Sequence, residues 1–349
     1  MPRPLSLLDL TQIPSGSTPA RAIADSVELA QLAEALGYHR VWYAEHHNTE
    51  GLASGSPEIL IGHIADHTRD IRVGSGGVML PNHSPLRIAE AFRLLETIHP
   101  GRIDLGLGRA PGTDTLTAFA MRRSREALTA DDYPEQLAEL LAWDDNSFPA
   151  DHPFAGIRPV PAQAALPPMW LLGSSDFSAR LAGEAGFGFA FAAHINAAGA
   201  VSALRDYRNR FVPSARQPEP WAILTVSVTV GEDEEHARDL SLVDQLMLLR
   251  LRTARRGEYP TLEEAKAYPF TPQEQAMIAA MPMRSLVGDA ASVHRQIDDL
   301  AERSGADEVM ITTFQAEPAV RRLAVTGLAA AFGLEPRSEL GFTPAPLLG

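Results

Sequence analysis

A chain of 349 residues that is 45% hydrophobic can bury a large core, and its lack of cysteine excludes disulfides, thiolate zinc sites and a cysteine nucleophile. A formal charge of −14 argues against nucleic acid and anionic membranes as partners, since both reward clustered Lys and Arg. Lys266 is the sole lysine, so Schiff-base chemistry is not expected elsewhere. No apolar run approaches the roughly 20 residues that span a bilayer, and the first residues lack a secretory signal pattern, so a cytoplasmic protein is expected.

Short aliphatic runs alternate with helical patterns almost from end to end. The first strand is expected at 5–10. Thr18 and Pro19 then read as N-cap and first helical residue, followed by apolar Ile23, Val27, Ala30 and Ala33 and a stop at Gly37. Strands at 40–45 and 71–79 flank a helix near 57–67. Ser84 as cap and Pro85 open a helix carrying Ile88, Phe92, Leu95 and Ile98, which Pro100-Gly101 ends. A strand at 102–107 precedes helical patterns at 114–127 and 133–142 and a loop at 144–168. Four more strands are expected at 169–173, 187–193, 221–230 and 307–313, with helices near 175–185, 198–211, 233–250, 289–303 and 317–332.

Eight strands, each followed by a helix, predict an α/β fold of the (β/α)8 TIM-barrel type, with an open doubly wound sheet as the rival. One domain over 1–349 then carries an insertion at 251–288, between strands 7 and 8, in the position of a mobile lid. A C-terminal tail covers 333–349 and is expected to wrap the outside.

A barrel builds its active site from the loops after its strands. The loop after the fifth strand, Gly173-Ser174-Ser175 with Ser178 one turn on, leads into a helix N-terminus, where unpaired N–H groups favour an anion. The residues alone leave open whether those hydroxyls bind a phosphate or merely cap the helix. Arg109, between Gly108 and Gly112, reads as a second clamp for a phosphate or as a surface ion pair. The run Gly106-Leu107-Gly108-Arg109-Ala110-Pro111-Gly112 is a poor dinucleotide fingerprint, one residue too long and interrupted by proline. Adjacent His46 and His47 point to opposite sides of an extended segment, so no metal site is expected and one of the two should face the barrel mouth.

Three stretches in this order, Val41-Trp42-Tyr43-Ala44-Glu45-His46-His47, then Val73-Gly74-Ser75-Gly76-Gly77-Val78-Met79-Leu80-Pro81, then Gly101-Arg102-Ile103-Asp104-Leu105-Gly106, resemble the luciferase-like flavin monooxygenases. The likeness runs from the first strand to about residue 332 and extends to a subgroup with tailoring oxygenases of the mensacarcin-pathway type. The resemblance implies a catalytic role for His46 and a non-proline cis peptide beneath the flavin at Gly76-Gly77. It also implies flavin contact by Arg109 and a phosphate loop of Gly173, Ser174, Ser175 and Ser178. Bacterial luciferase has a reactive cysteine where this chain has Gly108, which changes the space around the flavin. The implied activity is oxygenation of a small organic substrate by dioxygen and reduced FMN through a peroxyflavin, in antibiotic or polyketide tailoring or with weak aldehyde activity. Its implied partners are a separate flavin reductase and a second copy of the chain, packed through helices near strands 2 and 3. A deazaflavin-dependent dehydrogenase on the same fold and a flavin-binding protein without catalysis are the alternatives.

Overall fold

The computed structural model describes residues 3–110, 112–124, 132–253, 257–281 and 285–337. Eight parallel strands close on themselves: β1 (Leu5–Asp9), β2 (Arg40–Tyr43), β3 (Arg72–Ser75) with its continuation β4 (Val78–Met79), β5 (Ile103–Gly108), β6 (Met169–Gly173), β7 (Gly188–Ala192), β8 (Ala222–Gly231) and β10 (Glu308–Thr312). Closure is made by β10, which pairs with β1 through Leu5 and Val309 and with β8 through Ile223 and Glu308. The protein is a (β/α)8 barrel, and the open-sheet rival falls with it. The weak dinucleotide pattern falls too, because Gly106 and Gly108 lie within β5. A Cβ at Gly106 would lie 2.1 Å from the Ser75 carbonyl oxygen, so its glycine serves close packing of strands.

Among the described residues the α-helices are α1 (Pro19–Ala35), α2 (Pro57–Asp66), α3 (Pro85–Ile98), α4 (Thr115–Arg122), α5 (Tyr133–Asp145), α6 (Asp176–Glu184), α7 (Ala200–Arg210), α8 (Glu234–Arg252), α9 (Leu262–Ala267), α10 (Pro272–Ala279), α11 (Ala290–Ser304) and α12 (Pro318–Ala331). Thr18 caps α1 as its sequence suggests, its hydroxyl accepting from the Arg21 N–H at 3.2 Å. Ser84 holds the N-cap position of α3, but its side chain makes no cap hydrogen bond. Positions 125–127 of the expected helix and 338–349 of the tail lie outside the described residues.

Within 251–288, where 254–256 and 282–284 lie outside the described residues, the described part is more regular than its proline and glycine content suggests. It holds α9, α10 and β9 (Ser285–Asp289), a further parallel strand. The ten-residue β8 explains how it fits: Ser227 pairs with Thr312 inside the barrel and with Ser285 outside it, and β8 then runs on beside β9 alone. Val243, Leu246, Met247, Tyr259, Ala265, Ile278 and Phe314 form a separate apolar cluster that fastens this cap above the barrel. The main core lies between strands and helices, and a smaller cluster with Trp42, Trp170, Ile223 and Met310 fills the barrel itself.

Beneath that interior cluster lies a buried charge network. Arg40 Nε and Nη2 donate to the two Glu308 oxygens at 2.8 and 3.0 Å, and its Nη1 donates to Asp104 at 2.8 Å. Arg72, Ser6, Trp42 and Trp221 supply further donors to the same two carboxylates. Burial alone would raise the Asp104 carboxyl, but Arg40 and Arg72 hold it below the ordinary range. Replacing Arg40 by Met leaves Glu308 without a cationic partner in the barrel and Asp104 with Arg72 alone. The expected loss is about 3–5 kcal/mol, read as a lower urea midpoint, and a loss under about 1 kcal/mol would contradict it.

Candidate active site

A cavity of about 400 Å³ opens at the C-terminal ends of the strands. His46, Gly76, Gly77, Arg109, Gly173, Ser174, Ser175 and Ser178 all line it, so residues from four separate loops converge on one space. Its floor includes Trp42, Thr225 and Met310, and its roof includes Met247 and Leu251 of α8, Tyr259 of the cap and Phe314 of the loop after β10.

One end gathers hydroxyls at a helix N-terminus. Ser175 occupies the N-cap position of α6, yet its side chain makes no cap hydrogen bond, which leaves its hydroxyl open to a ligand beside the unpaired N–H groups of the first turn. Gly173 cannot carry a side chain, since a Cβ would lie 2.3 Å from the Ser178 hydroxyl. Asn196 Nδ2 donates to the Ser174 carbonyl at 2.9 Å and so ties this loop to the one after β7. The Arg109 guanidinium stands 4.4 Å above the Phe177 ring, which places a fixed positive charge next to the same loop.

The opposite wall is bare backbone. The Gly76–Gly77 peptide is cis, and the Gly76 N–H donates to the Tyr43 carbonyl at 2.8 Å. A Cβ on Gly77 would meet the Gly106 carbonyl oxygen at 2.7 Å and one on Gly76 the Leu8 side chain at 2.6 Å, so packing against neighbouring strands requires both glycines, and this wall carries no side chain of its own.

Strand alternation resolves the histidine pair. His46 continues the inward face of Trp42 and Ala44 into the cavity, whereas His47 turns back to Glu45. Glu45 is buried and acts as a clamp between loops: it accepts from His47 Nε2 at 2.7 Å, His83 Nε2 at 2.9 Å and the Met79 N–H at 2.8 Å. Burial would raise its carboxyl, but its hydrogen bonds to His83 and His47 outweigh that and hold it low, while the same pairing outweighs burial to raise His83. The clamp fixes the segment on either side of His46 to the wall formed by the cis peptide. Burial lowers His46 to about 4, so its imidazole is neutral, and its Nδ1 has no protein partner.

Sequence reasoning had no spacing signal for this clamp, because Glu45 and His83 are separated by 38 positions. Nor did it single out His194, which lines the cavity after β7. The rule that active-site residues follow barrel strands points to that loop, yet does not choose within it.

The sequence profile of the luciferase-like monooxygenases matches residues 4–308. The chain belongs to the luciferase-like monooxygenase family. It is an oxidoreductase by that membership. It is 45% identical to YvbT of Bacillus subtilis over 91% of this chain and 93% of that one. To a luciferase-like monooxygenase of Escherichia coli K12 it is 44% identical, over 88% and 90% of the two chains. The crystal structure of apo-MsnO8 superposes with a TM-score of 0.87 at 34% identity, covering 96% of this chain and 99% of that one. In this member of the family the barrel mouth carries glycine at position 108, and a Cβ there would lie 2.8 Å from the Met79 sulfur, so Met79 fills the space a larger residue would need.

Where the cap joins the barrel, Asp244 on α8 is buried and accepts hydrogen bonds from Thr229 of β8 and, at 2.8 Å, from Gln315. Burial, offset only in part by bonds from Thr229, Ser285 and Gln315, raises its carboxyl from 3.8 to about 6. A midpoint raised in the folded chain favours folding fully below about pH 4, and that contribution, about 3 kcal/mol, is lost as pH rises through 6. Asp244→Asn is therefore expected to raise the melting temperature at pH 8 and to change it little at pH 4. Equal shifts at both pH values would contradict this account.

Proposed function

We propose that the cavity binds reduced FMN and that the protein uses dioxygen to place one oxygen atom on a small organic substrate, with a separate reductase supplying the reduced flavin. The observation that carries this reading is the pairing, within one cavity, of an uncapped helix N-terminus flanked by Ser175, Ser178 and Arg109 with a side-chain-free wall at Gly76–Gly77. The first suits a phosphate and the second suits the face of a planar ring system. Bound reduced flavin would supply the electrons that activate dioxygen.

The protein's own residues have definable tasks in this reading. Ser174, Ser175, Ser178 and the α6 N-terminus hold the phosphate, and Arg109 adds its charge. Gly76 and Gly77 set the depth at which the ring system lies. His46, neutral and lacking a partner for Nδ1, offers a hydrogen bond to the reacting oxygen or moves its proton. Met247, Leu251, Tyr259 and Phe314 exclude water, which protects a reactive intermediate from wasteful loss. The single domain, with 251–288 as its closing element, belongs to the same reading, as does a cytoplasmic setting; no helix among the described residues is long and apolar enough to cross a membrane.

Anaerobic titration tests the cofactor. Reduced FMN is expected to bind more tightly than reduced riboflavin, and Arg109→Ala or the pair Ser175→Ala with Ser178→Ala should erase most of that difference, about tenfold or more. Equal affinity for FMN and riboflavin in the wild type would sink the phosphate assignment. Tighter binding of a deazaflavin than of FMN would move the protein to the dehydrogenase alternative.

We further propose that the protein is a homodimer packed through α2 and α3, which expose Ile59, Leu94 and Ile98. Leu94→Glu with Ile98→Arg should give a monomer by light scattering. A mass equal to the wild type's would reject this face.

A further inference from the structure

The cavity holds a second imidazole that the assignment of His46 leaves without a task. Four described residues lining it carry ionisable side chains: His46, Arg109, His194 and Tyr259. Burial pushes the Tyr259 phenol well above its ordinary range, and an arginine stays charged at any working pH. Burial lowers both imidazoles to about 4, so each rests neutral with a lone pair, and among the described residues lining the cavity these are the two ionisable side chains that can take up a proton in passing.

Their attachments differ in a useful way. His194 follows β7, and both its backbone N–H, at 3.1 Å, and its ring Nδ1, at 3.4 Å, reach the Thr225 carbonyl of β8. A carbonyl only accepts, so Nδ1 carries the ring hydrogen and Nε2 keeps a lone pair. His46 comes from β2, four strands round the barrel from β7, and its Nδ1 has no protein partner. Both line the same cavity, and charge on His46 acts on His194, so a proton on one discourages a proton on the other. Beside His46 the groups that act on it are Glu45 and His47; on His194 the ionisable group that acts is His46.

We propose that His194 is a second catalytic residue of the cavity, a base whose Nε2 takes the proton that the bound reactant loses while His46 stays neutral and donates its hydrogen bond. The reactant's N–H or O–H bond breaks and its electron pair remains on that atom. An N–H bond forms at Nε2, and the resulting imidazolium passes its proton to water at the cavity mouth. No electrons are gained or lost in this step. The inference rests on the cavity being the reaction chamber.

The test uses the wild type, His194→Asn and His194→Gln. Neither variant can carry the proton, and both keep an N–H that can face the Thr225 carbonyl. Three readouts are taken: reduced-FMN affinity, imidazole NMR, and the pH dependence of hydrogen peroxide release when the reduced-FMN complex meets oxygen without substrate. Flavin affinity should stay within about threefold of wild type. Peroxide release should slow about 10²-fold and lose the limb of its pH profile that reports the base. In the wild type, NMR should show His194 as the Nδ1–H tautomer, and the His46 midpoint should rise in both variants. An unchanged pH profile with intact flavin binding, an Nε2–H tautomer in the wild type, or flavin binding lost only in the variants would each overturn the proposal. Failure of the wild type to bind reduced FMN would instead remove the reading on which it rests.

Discussion

Arg40 sits where eight strands must close around something other than water. Its guanidinium is shared between Glu308 on the last strand of the barrel and Asp104 on β5, and it packs 4.6 Å over the Trp170 ring of β6. Each of these charges would cost several kcal/mol alone in so dry a place, so none is tolerable without the others. The arrangement is neutral overall when Arg72 is counted, and Ser6, Trp42 and Trp221 occupy remaining acceptor positions. Because its members come from β1, β2, β3, β5 and β10, with Trp221 just before β8, the network also fixes strand register. A slip of one residue would carry a charged side chain from the barrel interior to the apolar helix layer.

A rigid lower barrel frees the upper loops to be shaped for binding. Above the network come Trp42, Trp170 and Met310, then the cavity with its hydroxyls, imidazoles and glycines. Polarity thus falls and rises again along the barrel axis, and the two polar zones have different purposes. The lower one is fully paired and closed. The upper one leaves the His46 Nδ1 unpaired and the Ser175 hydroxyl uncommitted to its helix, which is how a site waiting for a ligand differs from a structural core.

Much of this was legible in the residue order. Alternating strands and helices predict the barrel, and strand ends such as Leu5–Asp9 and Met169–Gly173 fall within a residue or so of expectation. Gly76 and Gly77 split the expected strand 71–79 into β3 and β4, a break that the apolar run conceals because a cis peptide leaves no hydropathy signature. The eight residues expected at the site meet in one cavity, since strand-end position is a geometric property of the fold rather than of local propensity. What escaped sequence reading depends on distant contacts. Strand β9 looks irregular because its partner is the overhanging end of β8, and the Glu45 clamp joins loops from two different strands. Ser84 has the chemistry of a cap without the bond, so residue type alone overstates it.

The central claim is that the barrel mouth holds a reduced flavin in a space that shields its reaction with oxygen. The most direct measurement is an oxygen pulse delivered to the anaerobic complex of protein and reduced FMN, with flavin absorbance followed in time. The account predicts a transient spectrum that outlives the oxidation of free reduced FMN and decays faster when Phe314 or Met247 is reduced to alanine. Oxidation at the rate of free flavin, with no transient, would contradict it.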